Sequence, residues 1–164
     1  MRASRRPLRD ANVAAVREAT SPRLALLVRS DKSHVAAAAA RVRSFCERST
    51  LEPQALGEIE LAVVEALNDA IENAYRSRSD EEVILIAKFT TSDLSLEISD
   101  RGAPISSTMR CADAAASTRD FDDGNLEADQ ERSLHLAIIC TVMDDVSYES
   151  HEGRNTLRLL RRLP

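Results

Sequence analysis

The chain has 164 residues, of which 43% are hydrophobic and 30% are charged, and its formal net charge is −5. These values are typical of one soluble globular domain with a core and exclude disorder throughout the chain. Aromatic residues make up 3% and tryptophan is absent. Together with the negative charge, this scarcity argues against a general nucleic-acid binder.

Charge is unevenly distributed along the chain. Residues 1–23 contain six arginines against Asp10 and Glu18, which gives +4 and leaves −9 for the remainder. We therefore predict a basic N-terminal arm over residues 1–22 and one domain over residues 23–164. No aliphatic run approaches the ~20 residues of a membrane span. No apolar stretch of signal-peptide length opens the chain, so we expect no membrane association and a cytoplasmic location.

The cysteines and histidines show no metal-ligand spacing. Cys46, Cys111 and Cys140 are far apart and form no CxxC motif. We expect reduced thiols, since neither a zinc site nor a disulfide framework is indicated by this spacing.

The first half of the chain predicts one strand and two helices. The strand covers Leu24 to Val28, and Asp31 or Ser33 caps the helix that follows. The apolar stripe of that helix comprises Val35, Ala38, Val42, Phe45 and Cys46. A longer helix begins near Pro53, whose fixed φ suits a first turn, and runs to about Arg78.

The long helix has two contrasting faces. Polar side chains recur at helical spacing along one face, at Glu65, Asn68, Asp69, Glu72, Asn73 and Arg76. The opposite face carries apolar residues that would seat the helix on a core, at Leu61, Val64, Leu67, Ile71 and Ala74. The polar face is either ordinary solvent-exposed surface or the lining of a pocket, and this helix alone does not distinguish them.

The second half predicts two hairpins separated by a lid and a helix. "EEVILIAKF" and "DLSLEIS" are strands joined by the turn "TTSD", and "VSYES", "HEGRN" and "TLRLLRRL" form the closing hairpin. From Arg101 to about Gln130 the sequence has no period, which is typical of a functional lid or of disorder. "ERSLHLAIICTVMDD" predicts a helix with a core face made of Leu134, Ile138, Thr141, Val142 and Met143.

This order of elements predicts an α+β fold. We expect a two-layer sandwich with about three helices on one face of a mixed, mostly antiparallel five-stranded sheet.

A second polar signal, "DRGAP", follows the strand "DLSLEIS". A glycine two residues after Asp100 lets the chain turn sharply while the carboxylate points inward. An ordinary turn in which the aspartate caps its own backbone is the alternative. By itself the D-x-G pattern does not decide between them.

The succession of these segments resembles the gyrase, heat-shock chaperone, histidine-kinase and mismatch-repair ATPase superfamily, with its Bergerat nucleotide-binding fold. Within it, the chain looks most like the bacterial anti-sigma factor serine/threonine protein kinases of partner switching. "LGEIELAVVEALNDAIENAY" is similar to the N-box helix of that family, and "LSLEISDRGAPI" to its first glycine box. "LHLAIICTVMDDVSYESHEGRNTLRLLRRL" is similar to its closing helix and hairpin.

The resemblance implies roles for individual residues. Glu65 matches the catalytic glutamate, a general base for a substrate hydroxyl. Asp100 matches the aspartate that reads adenine, Gly102 a glycine that approaches the nucleotide, and Thr156 a threonine that supports the aspartate. The implied ligands are ATP and Mg²⁺.

The chain also departs from the family pattern. Asp69 stands where the family has its magnesium-binding asparagine, and Asn73 replaces a histidine. As a hard oxygen ligand Asp69 can hold Mg²⁺, which would make nucleotide binding more dependent on the metal. The glycines of the second glycine box are replaced by Ser133 and His135, which leaves this box degenerate. We expect Ser133 to cap the helix and His135 to lie near the phosphates.

Two main functions follow from this comparison. The first is an ATP-dependent protein serine/threonine kinase that sequesters a sigma factor and phosphorylates a STAS-type anti-sigma antagonist. The second is a catalytically degenerate binding module of the same fold that regulates a partner without phosphorylating it. The resemblance also implies a homodimer and regulation of transcription without direct contact to nucleic acid.

Overall fold

The computed structural model describes residues 21–105 and 126–164, with side chains from residue 132 onward in the second segment. The strands are β1 Arg23–Arg29, β2 Glu82–Phe89, β3 Asp93–Asp100, β4 Asp145–His151 and β5 Arg154–Arg162. The helices are α1 Val35–Cys46, α2 Pro53–Asp69 and α3 Leu126–Val142, with a 3₁₀ turn at Lys32–His34 and a π-helical segment at Ala70–Ala74. Almost all of the predicted arm and most of the predicted lid lie outside the described residues.

The five strands form one sheet in the order β1-β2-β3-β5-β4. All four pairings within the described residues are antiparallel, so the expected mixed character is absent there. The β4–β5 hairpin turns through Glu152 and Gly153, at φ 50° and 72°, as tight hairpins require. The predicted α+β sandwich, with three helices on a five-stranded sheet, is confirmed.

The core lies between the sheet and the helices. Residues alternate in β3, where Leu94, Leu96, Ile98 and Asp100 are buried on the helix side. The predicted stripe of α1 packs on this layer, with Phe45 stacked on Phe89 at a ring separation of 5.1 Å. The opposite face of the sheet is not covered by any helix that the structure describes.

Helix α2 begins at Pro53, as predicted, and is the central helix of its layer. It contacts both α1 and α3 as well as the core, so it is buried on several sides. Ala62 and Ala66 are buried where the neighbouring helices approach, whereas Leu61 is 41% exposed. The prediction that Leu61 seats the helix on the core is therefore wrong, because close helix packing selects small residues for the buried positions.

Helix α2 ends earlier than the sequence suggested. After Asp69 the backbone widens into the π-helical segment, where the amide of Tyr75 donates to the carbonyl of Ala70 at 3.0 Å. Arg76 and Ser77 then take left-handed conformations, at φ 50° and 59°, which ends the helical path before Arg78. Such a widened turn is frequent at functional sites, since it changes which side chains share a face.

Helix α3 differs from its prediction in both start and orientation. It begins at Leu126, inside the segment expected to be lid. Leu136, Ile139 and Met143 are buried, while Leu134 is 61% exposed and Thr141 is exposed. The predicted core face of this helix was therefore wrong for Leu134 and Thr141.

Two further sequence expectations concern thiols and membranes. Cys46 is a free thiol in the core, and burial raises its pKa to about 12. Cys140 is disulfide-bonded, so the expectation of three reduced thiols is wrong. None of the helices in the described segments has the length and apolar character needed to cross a bilayer.

Candidate functional site

Asp100 is the last residue of β3, and its carboxylate is buried on the helix side of the sheet. Its Oδ1 accepts from the amide of Gly102 at 2.8 Å and from Nδ2 of Asn155 at 2.7 Å. Burial raises the pKa of Asp100, although Asn155, the Gly102 amide and the charge of Arg132 each act to lower it. The carboxylate is thus held in one orientation by two donors on the same oxygen.

Asn155, rather than Thr156, is the β5 residue that contacts Asp100. The strands pair Asp100 with Asn155 and Ser99 with Thr156, and residues directly opposite one another share a face. Thr156 therefore points to the helix-free face, where its hydroxyl lies 3.2 Å from that of Ser99. The expectation that Thr156 supports Asp100 is corrected: the side chains of neighbouring strand residues point to opposite faces.

Gly102 approaches the π-helical segment closely. A Cβ at this position would lie 2.3 Å from the carbonyl oxygen of Ala74, which leaves no room for a side chain. The next amide, of Ala103, donates to that same carbonyl at 2.8 Å. The Tyr75 hydroxyl accepts from the Arg101 amide at 2.9 Å and donates to the Glu82 carbonyl at 2.7 Å. The described contacts thus require glycine at position 102 whether or not a nucleotide approaches it.

The polar face of α2 meets α3. His135 of α3 lies between two carboxylates, with Nδ1 at 2.5 Å from Glu65 Oε2 and Nε2 at 3.3 Å from Glu72 Oε2. Lys32 forms an ion pair with the other oxygen of Glu72. The side chains of Glu65 and His135 are each 15% exposed, so this network is mostly shielded from solvent.

Asp69 lies one helical turn beyond Glu65 and is also buried. Its Oδ1 accepts from Nδ2 of Asn73 at 2.9 Å and lies 3.2 Å from Nε of Arg132. Burial raises the pKa of Asp69, against the lowering effects of Arg132, Asn73 and His135, and the negative charge of Asp100 raises it further. The carboxylate of Asp69 therefore forms an ion pair with an α3 side chain, that of Arg132.

The carboxylates on the polar face of α2 lie against α3 and are mostly shielded from solvent. His135 acts electrostatically on Asp69, and Arg132 acts on both Asp69 and Asp100. Asp69 is therefore within electrostatic range of both α3 side chains, and Asp100 is within range of Arg132. Asn68 is half-buried, whereas Arg76 is exposed and off this face because of its left-handed backbone.

Comparison with known families identifies the domain to which these residues belong. Residues 28–161 match the model of the histidine kinase-like ATPase domain. The chain belongs to this family. The match spans the helices, the D-x-G turn and the sheet apart from residues 23–27 of β1 and the last residue of β5. It confirms the resemblance seen in the sequence.

Two solved structures share the fold of this histidine kinase-like ATPase domain. One contains the RsbU and RsbW domains of Rv1364c from Mycobacterium tuberculosis, with a TM-score of 0.61, 15% identity and 87% of this chain covered. The match spans only 33% of that longer chain. The other is the SiaB–SiaC complex from Pseudomonas aeruginosa, with a TM-score of 0.56, 14% identity, and 84% of this chain and 88% of that chain covered. A search of curated proteins finds no match.

The second glycine box of this ATPase domain is helical throughout. Ser133 lies seven residues after the first residue of α3, so it does not cap the helix as predicted. The backbone amides of the segment from Ser133 to Leu136 are inside a continuous helix, where they bond the preceding turn. They are therefore not presented to a phosphate group in the way that a helix N-terminus presents them.

The family implies a magnesium ion, and the residues present do not fit one. The described residues contain no group of three or more His, Cys, Asp and Glu side chains arranged to hold a metal. Asp69, the predicted ligand, already contacts the Asn73 amide and the Arg132 guanidinium through one oxygen. A divalent cation 4 Å from that guanidinium would be repelled by about 8 kcal/mol at an effective dielectric of 20, twice the value for two unit charges.

Proposed function

We propose that this histidine kinase-like ATPase domain is an ATP-binding regulator of the anti-sigma factor kinase type, which acts in partner switching. The observation that carries the proposal is the buried carboxylate of Asp100, fixed through Oδ1 by Gly102 and Asn155. Within the described residues, Oδ2 receives no hydrogen bond and is the acceptor that we assign to the exocyclic amine of adenine. An acceptor whose direction is fixed selects a ligand that donates to it.

Glu65 is the residue that we assign as general base in transfer of a phosphoryl group to a serine or threonine hydroxyl. A base must reach the hydroxyl directly, and Oε2 of Glu65 is 2.5 Å from His135. His135 must therefore release this oxygen, or share it with the incoming hydroxyl, before the base can act.

The partners that we propose are a sigma factor and a STAS-type anti-sigma antagonist, the latter as phosphoryl acceptor. Homodimerisation, regulation of transcription and a cytoplasmic location belong to the same proposal. Its support is the sequence resemblance described above, together with fold similarity to a chain that contains an RsbW domain. The formal net charge of −5 disfavours direct nucleic-acid binding by the domain, so no such contact is part of the proposal.

A second function is favoured by one observation. Helix α3 continues through the degenerate second glycine box, so the usual backbone contacts to phosphates are missing there. A domain with this change could regulate a partner by binding alone, without phosphorylating it. The two functions differ in whether Glu65 is needed.

Calorimetric titration with ATP tests the nucleotide site directly. The wild type should give saturable heat, and Asp100→Asn should weaken binding by about ten- to hundredfold, because an amide presents a donor where adenine also donates. Arg158→Met, on the helix-free face, is the matched control and should bind as the wild type does. No binding by the wild type at millimolar ATP would exclude the nucleotide-binding proposal.

Phosphotransfer separates the two functions. Incubation with labelled ATP and a candidate antagonist should label a serine or threonine of the antagonist, and Glu65→Gln should abolish the label without affecting ATP binding. ATP binding with no transfer to antagonists that the domain binds would favour the binding module.

A further inference from the structure

Arg132 places a positive charge beside Asp69, the residue that the sequence resemblance matches to a metal ligand. Asp69 occupies the position of the magnesium-binding asparagine, and the Arg132 guanidinium is 3.2 Å from its Oδ1. The side chains are 9% and 13% exposed, so the pair is largely removed from solvent. An aspartate paired with arginine is neutral overall, as asparagine alone is, and it places a guanidinium donor from the chain itself at this position.

The Arg132 guanidinium also has an unfilled donor. Its Nε is buried and makes no hydrogen bond to any residue that the structure describes, although it is within ion-pair distance of Asp69. A buried donor of this kind is costly unless a partner is supplied. Because Nε itself is buried, a phosphate would contact the terminal nitrogens of the same guanidinium, whose planar fork matches phosphate geometry.

The backbone of α3 does not provide an alternative site for the phosphates. The amides of the segment from Ser133 to Leu136 are within the helix, so side chains must supply the charge there. Among the α3 side chains that the structure describes, Arg132 and His135 contact the α2 carboxylates, and His135 is already held between Glu65 and Glu72. Arg132 is thus the α3 cation with donor capacity that these contacts leave open.

We propose that Arg132, fixed by Asp69, takes the place of the divalent metal, so that this domain binds the phosphates of an adenine nucleotide without Mg²⁺. The inference rests on the proposed nucleotide site at Asp100 and names Arg132 as the source of the positive charge that faces the phosphates. The sequence predicted that Asp69 would make nucleotide binding more dependent on a metal ion, whereas this inference makes nucleotide binding independent of one.

Titration of labelled ADP in EDTA and in excess Mg²⁺ tests the inference. The wild type should give dissociation constants that agree within about threefold between the two buffers. Arg132→Met should weaken binding in EDTA by about ten- to hundredfold, because a charge-assisted hydrogen bond is lost and Asp69 is left unpaired. The double variant Asp69→Asn/Arg132→Met restores the asparagine of the family and should bind ADP better in Mg²⁺ than in EDTA.

Several outcomes would overturn the inference. One is wild-type binding more than about tenfold weaker in EDTA than in Mg²⁺, and another is Arg132→Met binding that matches the wild type in both buffers.

Arg158→Met is the control for loss of an arginine outside the site. Thermal unfolding of each variant shows that a loss of binding is not a loss of folding, and Arg132→Lys, which keeps the charge without the fork, should retain binding in EDTA at reduced affinity.

A second measurement separates this inference from the proposed function. If the wild type binds no ADP in either buffer, the nucleotide site itself is contradicted. Titration with Mn²⁺ alone, followed by electron paramagnetic resonance, still tests the metal question. Equal Mn²⁺ binding by the wild type and Asp69→Asn is expected, and a bound fraction that disappears in Asp69→Asn would overturn the inference.

Discussion

Nδ2 of Asn155 donates to Oδ1 of Asp100 at 2.7 Å, across the pairing between β3 and β5. The same amide group lies 3.1 Å from the carbonyl of Gly102, so it joins the strand-end carboxylate to the turn that follows it. Both side chains are buried. Asn155 therefore sets the direction of the carboxylate on which the proposed recognition of adenine depends.

Replacement of Asn155 by alanine should lower the free energy of unfolding by about 1–3 kcal/mol, because a buried carboxylate oxygen loses a donor. Thr156→Val is the neighbouring control. It removes only the contact to Ser99 on the helix-free face and should cost less than about 1 kcal/mol. Urea unfolding of both variants provides the comparison. Equal losses would contradict the assignment of Asn155 to Asp100.

The two variants should also differ in nucleotide affinity. Asn155→Ala leaves Asp100 held by the Gly102 amide alone and should weaken ADP binding, whereas Thr156→Val should bind ADP as the wild type does. Weaker binding by Thr156→Val alone would restore the role that the sequence assigned to Thr156.

Gly102→Ala should destabilise the domain by about 1–3 kcal/mol or more, since its Cβ would overlap the backbone of Ala74. Gly57→Ala is a matched control in α2, where an added Cβ meets nothing within 4 Å. That change should stabilise the domain by about 0.5–1 kcal/mol, because glycine is unfavourable inside a helix. Thermal unfolding that moves in the same direction for both would show that position 102 tolerates a side chain.

The sequence predicted the sheet well because its strands are marked by local features. Alternation and turn residues fix the two hairpins, and the register follows from them. The alternation of side chains in β5 also indicates which of its residues lies on the same face as Asp100. Leu157 and Leu159 point to the core, so Asn155, two residues before Leu157, must point the same way. The family motif drew attention to Thr156 instead.

Helix α3 could not be oriented from its sequence in the same way. Leu134, Leu136, Ile138 and Ile139 surround the helix with apolar side chains, so more than one face satisfies the helical period. Its early start was partly visible, because "LEADQ" before the predicted helix is rich in helix-forming residues. The pairing of Arg132 with Asp69 depends on the tertiary placement of α3 against α2, which no local pattern encodes.

The pH dependence of stability provides a test of the burial of Asp100. Its pKa is raised above the ordinary value of 3.8, chiefly by burial, so the folded state binds this proton more tightly than the unfolded state. Stability from this group is then fully present below that ordinary value and is lost as pH rises through the folded pKa. Asp100→Asn cannot lose it, because the amide has no charge to bury.

The stability of Asp100→Asn relative to the wild type should therefore increase from acid pH and level off above the folded pKa of Asp100. Urea unfolding over a series of pH values measures the difference. Asp69 adds to it in the same direction, because in the wild type the charge of Asp100 raises the pKa of Asp69. A difference that shrinks as pH rises would mean that donors, rather than burial, dominate the environment of Asp100.

His135 is the point at which α3 closes over the polar face of α2, so its removal should loosen both helices. His135→Ala deletes the contacts to Glu65 and Glu72 and leaves two carboxylates close together, with Lys32 as a counter-charge to Glu72. Loss of hydrogen bonds to charged groups should cost about 1–3 kcal/mol of unfolding free energy.

His151→Ala provides a control. That side chain is 84% exposed and, among the described residues, pairs with exposed Glu152, so its removal should change stability little. Added salt should partly rescue His135→Ala by screening the two carboxylates. A stability for His135→Ala equal to that of His151→Ala would mean that His135 does not hold α3 against α2.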